Sequence, residues 1–211
     1  MSSQETSSSK GMNPLAVVAG FLPWIAFTFV AQRLAADGVA WSALIALAMT
    51  ATSLVWDRAR SIPTQLNLYS GGLFAVMAVV GFTGGPEVDL WLYQWGRPLV
   101  GVVLGLLILA TSTAWPFTAG YAKKDLPPQA WTSPVFVRIN RVLSATWGVA
   151  ITVVGLCALA VAALDALPTG ESPHLLDLAL NWVVPIAVLV WTVKFTQAYP
   201  DRVTASSTTA R

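Results

Sequence analysis

The chain has 211 residues, 55% of them hydrophobic and 10% charged, with a formal net charge of +2. A soluble domain carries about a quarter charged residues, and a globule of this size cannot hide so much apolar surface from water, so lipid must be the solvent for part of the chain. The small positive balance excludes nucleic acid as an expected partner, and the single cysteine, Cys157, excludes an internal disulfide and a cysteine-rich metal site.

The first element, residues 1–11, opens on "MSSQETSSSK", a polar stretch of low complexity predicted to be a disordered tail. A membrane domain then spans residues 12–199, and residues 200–211, with "VTASSTTAR", are predicted to be a second disordered tail. Within the domain the charges fall in clusters. Uncharged stretches run from Gly11 to Gln32, Gly38 to Trp56, Ser61 to Pro86, Pro98 to Ala122 and Val142 to Leu164. A helix needs roughly 20 apolar residues to cross the hydrocarbon, and these five reach or nearly reach that length. The last stretch, Leu178–Val193, is shorter and suffices if Lys194 snorkels, its stem in lipid and its ammonium at the headgroups. The runs are continuously apolar, which excludes an alternating β-barrel pattern. The first run is too long for a signal-peptide core and is read as retained. The fold class is therefore all-α, a polytopic bundle of six transmembrane helices.

The basic residues set the orientation. With the N-terminus inside, the inner segments hold Lys10, Arg58, Arg60, Lys123, Lys124, Arg138, Arg141, Lys194, Arg202 and Arg211, and the outer loops hold Arg33 and Arg97. This asymmetry places both termini in the cytoplasm. The outer side carries Asp37, Glu87, Asp89, Asp165, Glu171 and Asp177. Outside, "GGPEVDLWLYQWGRP" reads as a loop lying at the interface on Trp91, Tyr93 and Trp95. Inside, "AKKDLPPQAWTSPVFVRIN" is the longest loop, broken by prolines and then basic and amphipathic. Nine of the ten tryptophans fall at helix ends or in these loops as an interfacial belt, and Trp24, just after Pro23, is the deep exception.

Pro23 and Pro185 each interrupt an apolar helix and free the carbonyl four residues back, on Ala19 and Asn181. Such breaks either pack as kinks or build a solute site. Thr111 and Ser112 lie deep in the fourth helix, and with Pro23, Asn181 and Pro185 they form the candidate polar path. The competing reading is that such hydroxyls bond back to their own carbonyls. Gly101 and Gly105 form a GxxxG that admits a close helix neighbour.

Residues for catalysis are wanting. No hydrophobic core carries Asp, Glu, Arg or His, and the single His174 lies beside Pro173 in an outer loop, so no metal site, haem or other cofactor is expected. No Walker sequence, GxSxG or helical His pair occurs, and the chain is not expected to be an enzyme.

"FLPWIAFTFVAQRL", "IALAMTATSLVWDRAR", "GGLFAVMAVVGF" and "VRINRVLSATWGVAITVVGL" occur in that order. Together they resemble the bacterial intracellular septation protein A family, in a Phe-Leu-Pro near the N-terminus, a Trp with basic residues after the second span, and an Arg-x-Asn…Trp stretch late in the chain. The resemblance covers about half the chain. It implies a small multi-pass inner-membrane protein tied to cell division and envelope upkeep, without catalysis. The chain departs from it in the proline-rich inner loop and in a repeated Phe-Thr-x-x-Tyr, at Phe117-Thr118-Tyr121 and Phe195-Thr196-Tyr199.

Phe and Tyr four residues apart share a helix face, so both repeats read as the same exit anchor, Phe in lipid and Tyr at the headgroups. Arg138, Asn140, Arg141 and Trp147 mark the start of the fifth helix, with Asn140 as its cap. Tyr121 and Tyr199 join these four in the candidate surface for partner or lipid binding. The expected partners are the bilayer, anionic lipids, other membrane proteins and a second copy of the chain. The leading function is a non-enzymatic scaffold of the cell envelope or of septation; the alternative is a permease or channel for a small solute or ion.

Overall fold

The computed structural model describes residues 14–34, 38–59, 65–167 and 174–209. The expected tail at 1–11 and the charges of Lys10, Asp37, Arg60, Glu171 and Arg211 lie outside the described residues. Every regular element among the described residues is helical. Five stretches are long and apolar enough to cross a membrane: Val39–Asp57, Gln65–Gly84, Pro86–Thr111, Pro134–Asp165 and His174–Ala205.

The first apolar stretch is interrupted, as Pro23 led one to expect. It is broken at Phe21 into α1 (Pro14–Gly20) and α2 (Leu22–Leu34), of 7 and 13 residues. Pro23 is the cause: it has no N–H to give, and its ring collides with the carbonyl four residues back. The chain closes a tight turn instead, with Phe21 N–H donating to the Val18 carbonyl at 3.0 Å and Trp24 N–H to the Phe21 carbonyl at 3.0 Å. Pro23 then sits in the first turn of α2, where a missing donor does no harm.

Helices α3 (Val39–Ala59) and α4 (Gln65–Gly84) lie antiparallel, Gly81 against Ala40 at one end and Gly71 against Thr50 farther along. Gly85, at φ 75°, turns the chain directly into α5 (Pro86–Trp91). That positive φ suits glycine alone among common residues. Glu87 and Asp89 occupy the first turn of α5, the positive end of its dipole. The segment expected as an interfacial loop is thus helical. It runs through a π-turn, Leu92–Gly96, into α6 (Arg97–Thr111) as one crossing helix.

A second π-turn, Ala179–Val183, joins α9 (His174–Leu178) to α10 (Val184–Thr209). The two wide turns have one cause. Each ends two residues before a proline, Pro98 and Pro185. In each the residue just before the proline donates five residues back, Arg97 to the Leu92 carbonyl and Val184 to the Ala179 carbonyl. The extra residue lets the helix continue past a ring that would strike the carbonyl four residues back. His174, expected in an outer loop, opens this last helix.

Helix α6 ends at Thr111, so Thr111 and Ser112 lie at a helix end and not deep in a span. A turn leads to α7 (Thr118–Asp125), whose first five residues are all buried. Ser133 then caps α8 (Pro134–Asp165) by accepting from Phe136 N–H at 3.1 Å. Asn140 is therefore not the cap; it sits within α8 and is buried. Along the α6–α8 seam, a Cβ on Gly155 would come within 2.7 Å of the Val102 nitrogen, and one on Gly148 within 3.0 Å of the Leu109 nitrogen. Gly105 likewise faces Thr152, so the GxxxG packs inside this chain, backbone against backbone.

Residues 200–209, expected in a disordered tail, continue α10 as helix. Pro200 removes one donor, and Thr204 Oγ1 bonds back to the carbonyls of Pro200 and Asp201, both at 3.0 Å. A single proline costs the helix one donor without ending it here.

Candidate functional site

The buried polar groups gather at the end of the bundle where α3 finishes and α4, α7 and α8 begin. Asp57, 7% exposed, accepts from Lys124 Nζ at 2.7 Å and from Asn67 Nδ2 at 3.2 Å. The carboxylate thus ties α3 to α4 and α7, and the Lys124 ammonium and the Asn67 amide stand in for the water that burial removes. Lys124 also lies 5.7 Å from the Tyr121 ring centre, and Lys123 lies 5.4 Å from that of Trp131. Close by in sequence, Gln65 Oε1 and Tyr69 Oη are buried without a hydrogen bond among the described residues.

Deeper, Thr118 joins α7 to α8. Its N–H donates to Ser144 Oγ at 3.2 Å, and its hydroxyl donates to the Asn140 carbonyl at 3.0 Å and lies 3.0 Å from Ser144 Oγ. Asn140 Nδ2 donates to the Phe136 carbonyl at 2.9 Å. Trp147, 1% exposed, joins α8 to α10 by donating from Nε1 to Thr196 Oγ1 at 3.0 Å, and Phe21 stacks on it at 5.6 Å. Tyr121 Oη fills the space beside Gly20, at the break between α1 and α2. The Thr118, Ser144 and Thr196 hydroxyls thus fasten one helix to another, a main use of such groups in a bilayer, whereas Asn140 bonds within α8 and its Oδ1 is buried without a hydrogen bond among the described residues.

The expected partner surface is divided by these contacts. Arg138 and Arg141 are exposed on the first turns of α8, and Tyr199 is half-buried on α10. Tyr121, Asn140 and Trp147 are buried, so they cannot meet a partner without unpacking the bundle. Trp147 also leaves the interfacial belt expected of it, because its indole N–H finds Thr196 inside the protein. Trp24 is half-buried in the first turn of α2 and donates to Ser70 Oγ at 2.7 Å.

The expected polar path is not assembled. Thr111 Oγ1 donates to the Leu107 carbonyl and Ser112 Oγ to the Leu109 carbonyl, both at 2.7 Å, within their own helix. Asn181 is exposed and donates to Asp177 at 2.6 Å. Leu109 packs on Gly148, next to the Trp147 that meets Thr196, so Thr111 is nearly level with Thr196. Asn181 precedes Thr196 by fifteen residues in the same helix, which is roughly 22 Å at 1.5 Å per residue. Pro23 is buried at the α1–α2 break and Pro185 is half-buried beside Asn181.

Sequence reasoning missed Asp57, Gln65, Asn67, Ser144 and the tying roles of Thr118 and Thr196. An acid in a basic inner cluster, "VWDRAR", was the one available signal for Asp57. It also misplaced Arg97, which lies inside the crossing helix Pro86–Thr111 and not in a loop. Its guanidinium lies 4.4 Å from the Tyr93 ring centre, and Nη1 is buried without a hydrogen bond among the described residues. The Tyr93 ring, one turn back, gives this half-buried cation a favourable neighbour. No protein family model, curated protein or solved structure matches this chain.

Proposed function

We propose that the chain is a non-enzymatic, multi-pass scaffold of the cell envelope in the bacterial inner membrane. In this reading it crosses six times, the broken α1–α2 stretch included, with both termini in the cytoplasm. The positive-inside asymmetry supports that orientation, and the resemblance to the septation protein A family supports a role in envelope upkeep or division. One observation carries the scaffold reading. The buried hydroxyls of Thr118, Ser144 and Thr196 and the Trp147 indole are engaged in helix-to-helix ties, while Arg138 and Arg141 stand exposed beside them. A rigid core with a cationic rim suits holding a partner more than moving a solute.

The test is purification in native-lipid particles, with co-purifying proteins identified for the parent and for Arg138→Gln/Arg141→Gln. The scaffold reading expects a specific membrane protein partner whose recovery falls in the double variant. Solute flux in proteoliposomes that depends on Ser112 and Pro185, with the arginines dispensable, would overturn it in favour of a permease.

A further inference from the structure

The last crossing helix is set apart from the others. In the other four, 33–39% of the most apolar window is buried inside the bundle; in His174–Ala205 the share is 6%. Along its flank Trp191, exposed, and Phe195 and Tyr199, half-buried at the edge of the core, recur one turn apart, ring over ring. Trp191 and Phe195 stack at 5.4 Å and 20°, and Phe195 and Tyr199 at 5.1 Å and 22°. Lys194 and Arg202 are exposed on the same side, each four residues from Ala198. The small Ala198 leaves a groove of about 370 Å³ among these side chains.

We propose that this groove binds one anionic phospholipid. Its phosphodiester lies over Ala198, between the Lys194 ammonium and the Arg202 guanidinium, and an acyl chain runs up the Phe195–Trp191 stack. Four residues of helix rise roughly 6 Å, so both long cationic side chains reach a single phosphate from opposite ends. The groove lining contains two cations and no acid. Asp201 is exposed and outside that lining, so it leaves the groove's cationic character intact. A zwitterionic lipid would bring its own ammonium against these cations. A second copy docked by two-fold symmetry would place Lys194 and Arg202 against their own equivalents. An anionic lipid alone satisfies both the charge and the apolar stack, and the inference is independent of the scaffold reading.

The experiment is native mass spectrometry of the full chain in detergent, titrated with dioleoyl phosphatidylglycerol or dioleoyl phosphatidylcholine. The parent is expected to retain one phosphatidylglycerol in preference to phosphatidylcholine. Lys194→Gln and Arg202→Gln should each weaken retention about fivefold and the pair about 30-fold, from the typical worth of a basic residue at an anionic surface. Lys194→Arg should retain it. Ala198→Leu should weaken retention with every charge in place, by filling the groove. Circular dichroism melts that match the parent show that these exposed positions leave the fold intact. Equal retention of the two lipids, or an unchanged Ala198→Leu, overturns the proposal. So does displacement by millimolar inorganic phosphate, which would reveal a phosphate site without a tail, or a dimer that Ala198→Leu abolishes.

Discussion

Two segments with the same five-residue signature have opposite fates in this molecule. Phe117-Thr118-Tyr121 is buried at the start of α7, its rings meeting edge-on at 6.2 Å and 87°. Phe195 and Tyr199 stack face to face at 5.1 Å and 22° on α10, half-buried at the edge of the core. The threonines behave alike: Thr118 bonds to Asn140 and Ser144, and Thr196 receives the Trp147 N–H, all on α8. The shared signature therefore describes how a short helix or a long one fastens to α8 through its threonine. The charged residues just beyond each copy also differ in their surroundings. Lys124 is held by Asp57, whereas Asp201 and Arg202 are exposed. The comparison shows that burial is decided by what packs around a motif and not by the motif.

Truncation of the aromatic partner should separate the copies most widely. Phe117→Ala opens a cavity in a packed cluster and should destabilise by ~3–5 kcal/mol. Phe195→Ala, half-buried at the edge of the core, should cost less, ~1 kcal/mol. Reversible unfolding in mixed detergent–SDS micelles measures both, and equal losses would erase the distinction.

Next in size is the clamp after the first copy. Asp57→Ala removes the acceptor of both Lys124 and Asn67 and leaves the buried Asn67 amide without this partner, at a cost of ~1–3 kcal/mol. Arg202→Gln, after the second copy, should leave the same unfolding midpoint unchanged. A silent Asp57→Ala would mean that the end of α7 is not anchored through this pair.

The tyrosine of the first copy offers a sharper test. Gly20→Ala drives a methyl into Tyr121 Oη and should cost ~1–3 kcal/mol. Tyr121→Phe in that background should restore part of the loss by removing the oxygen that is struck. Failure of the second change to help would place the strain elsewhere.

The smallest effects should come from the threonines, where the copies are most alike. Thr118→Val and Thr196→Val should each cost ~0.6–1.7 kcal/mol, the range of interhelical hydrogen bonds in lipid. The Trp147 N–H left by Thr196→Val should exchange faster in deuterated buffer than in the parent.

Much of the fold was legible in the chain because lipid offers the backbone no hydrogen-bond partners, so a long charge-free stretch must satisfy itself as a helix. The apolar runs and the kink at Pro23 came from that rule and from the chemistry of proline. The way the chain passes Pro98 and Pro185 did not, since a π-turn needs the neighbouring helices to hold the widened ring in place. The pairing of Asp57 with Lys124, 67 positions apart, was invisible for the same reason. Most of all, the sequence could not say which face of each helix is inside. In water an amphipathic stripe reveals the buried face; in a bilayer the lipid and the neighbouring helix are equally apolar, and the stripe disappears. Tertiary packing alone decided that Tyr121, Asn140 and Trp147 face inward while Arg138, Arg141 and Trp191 face out.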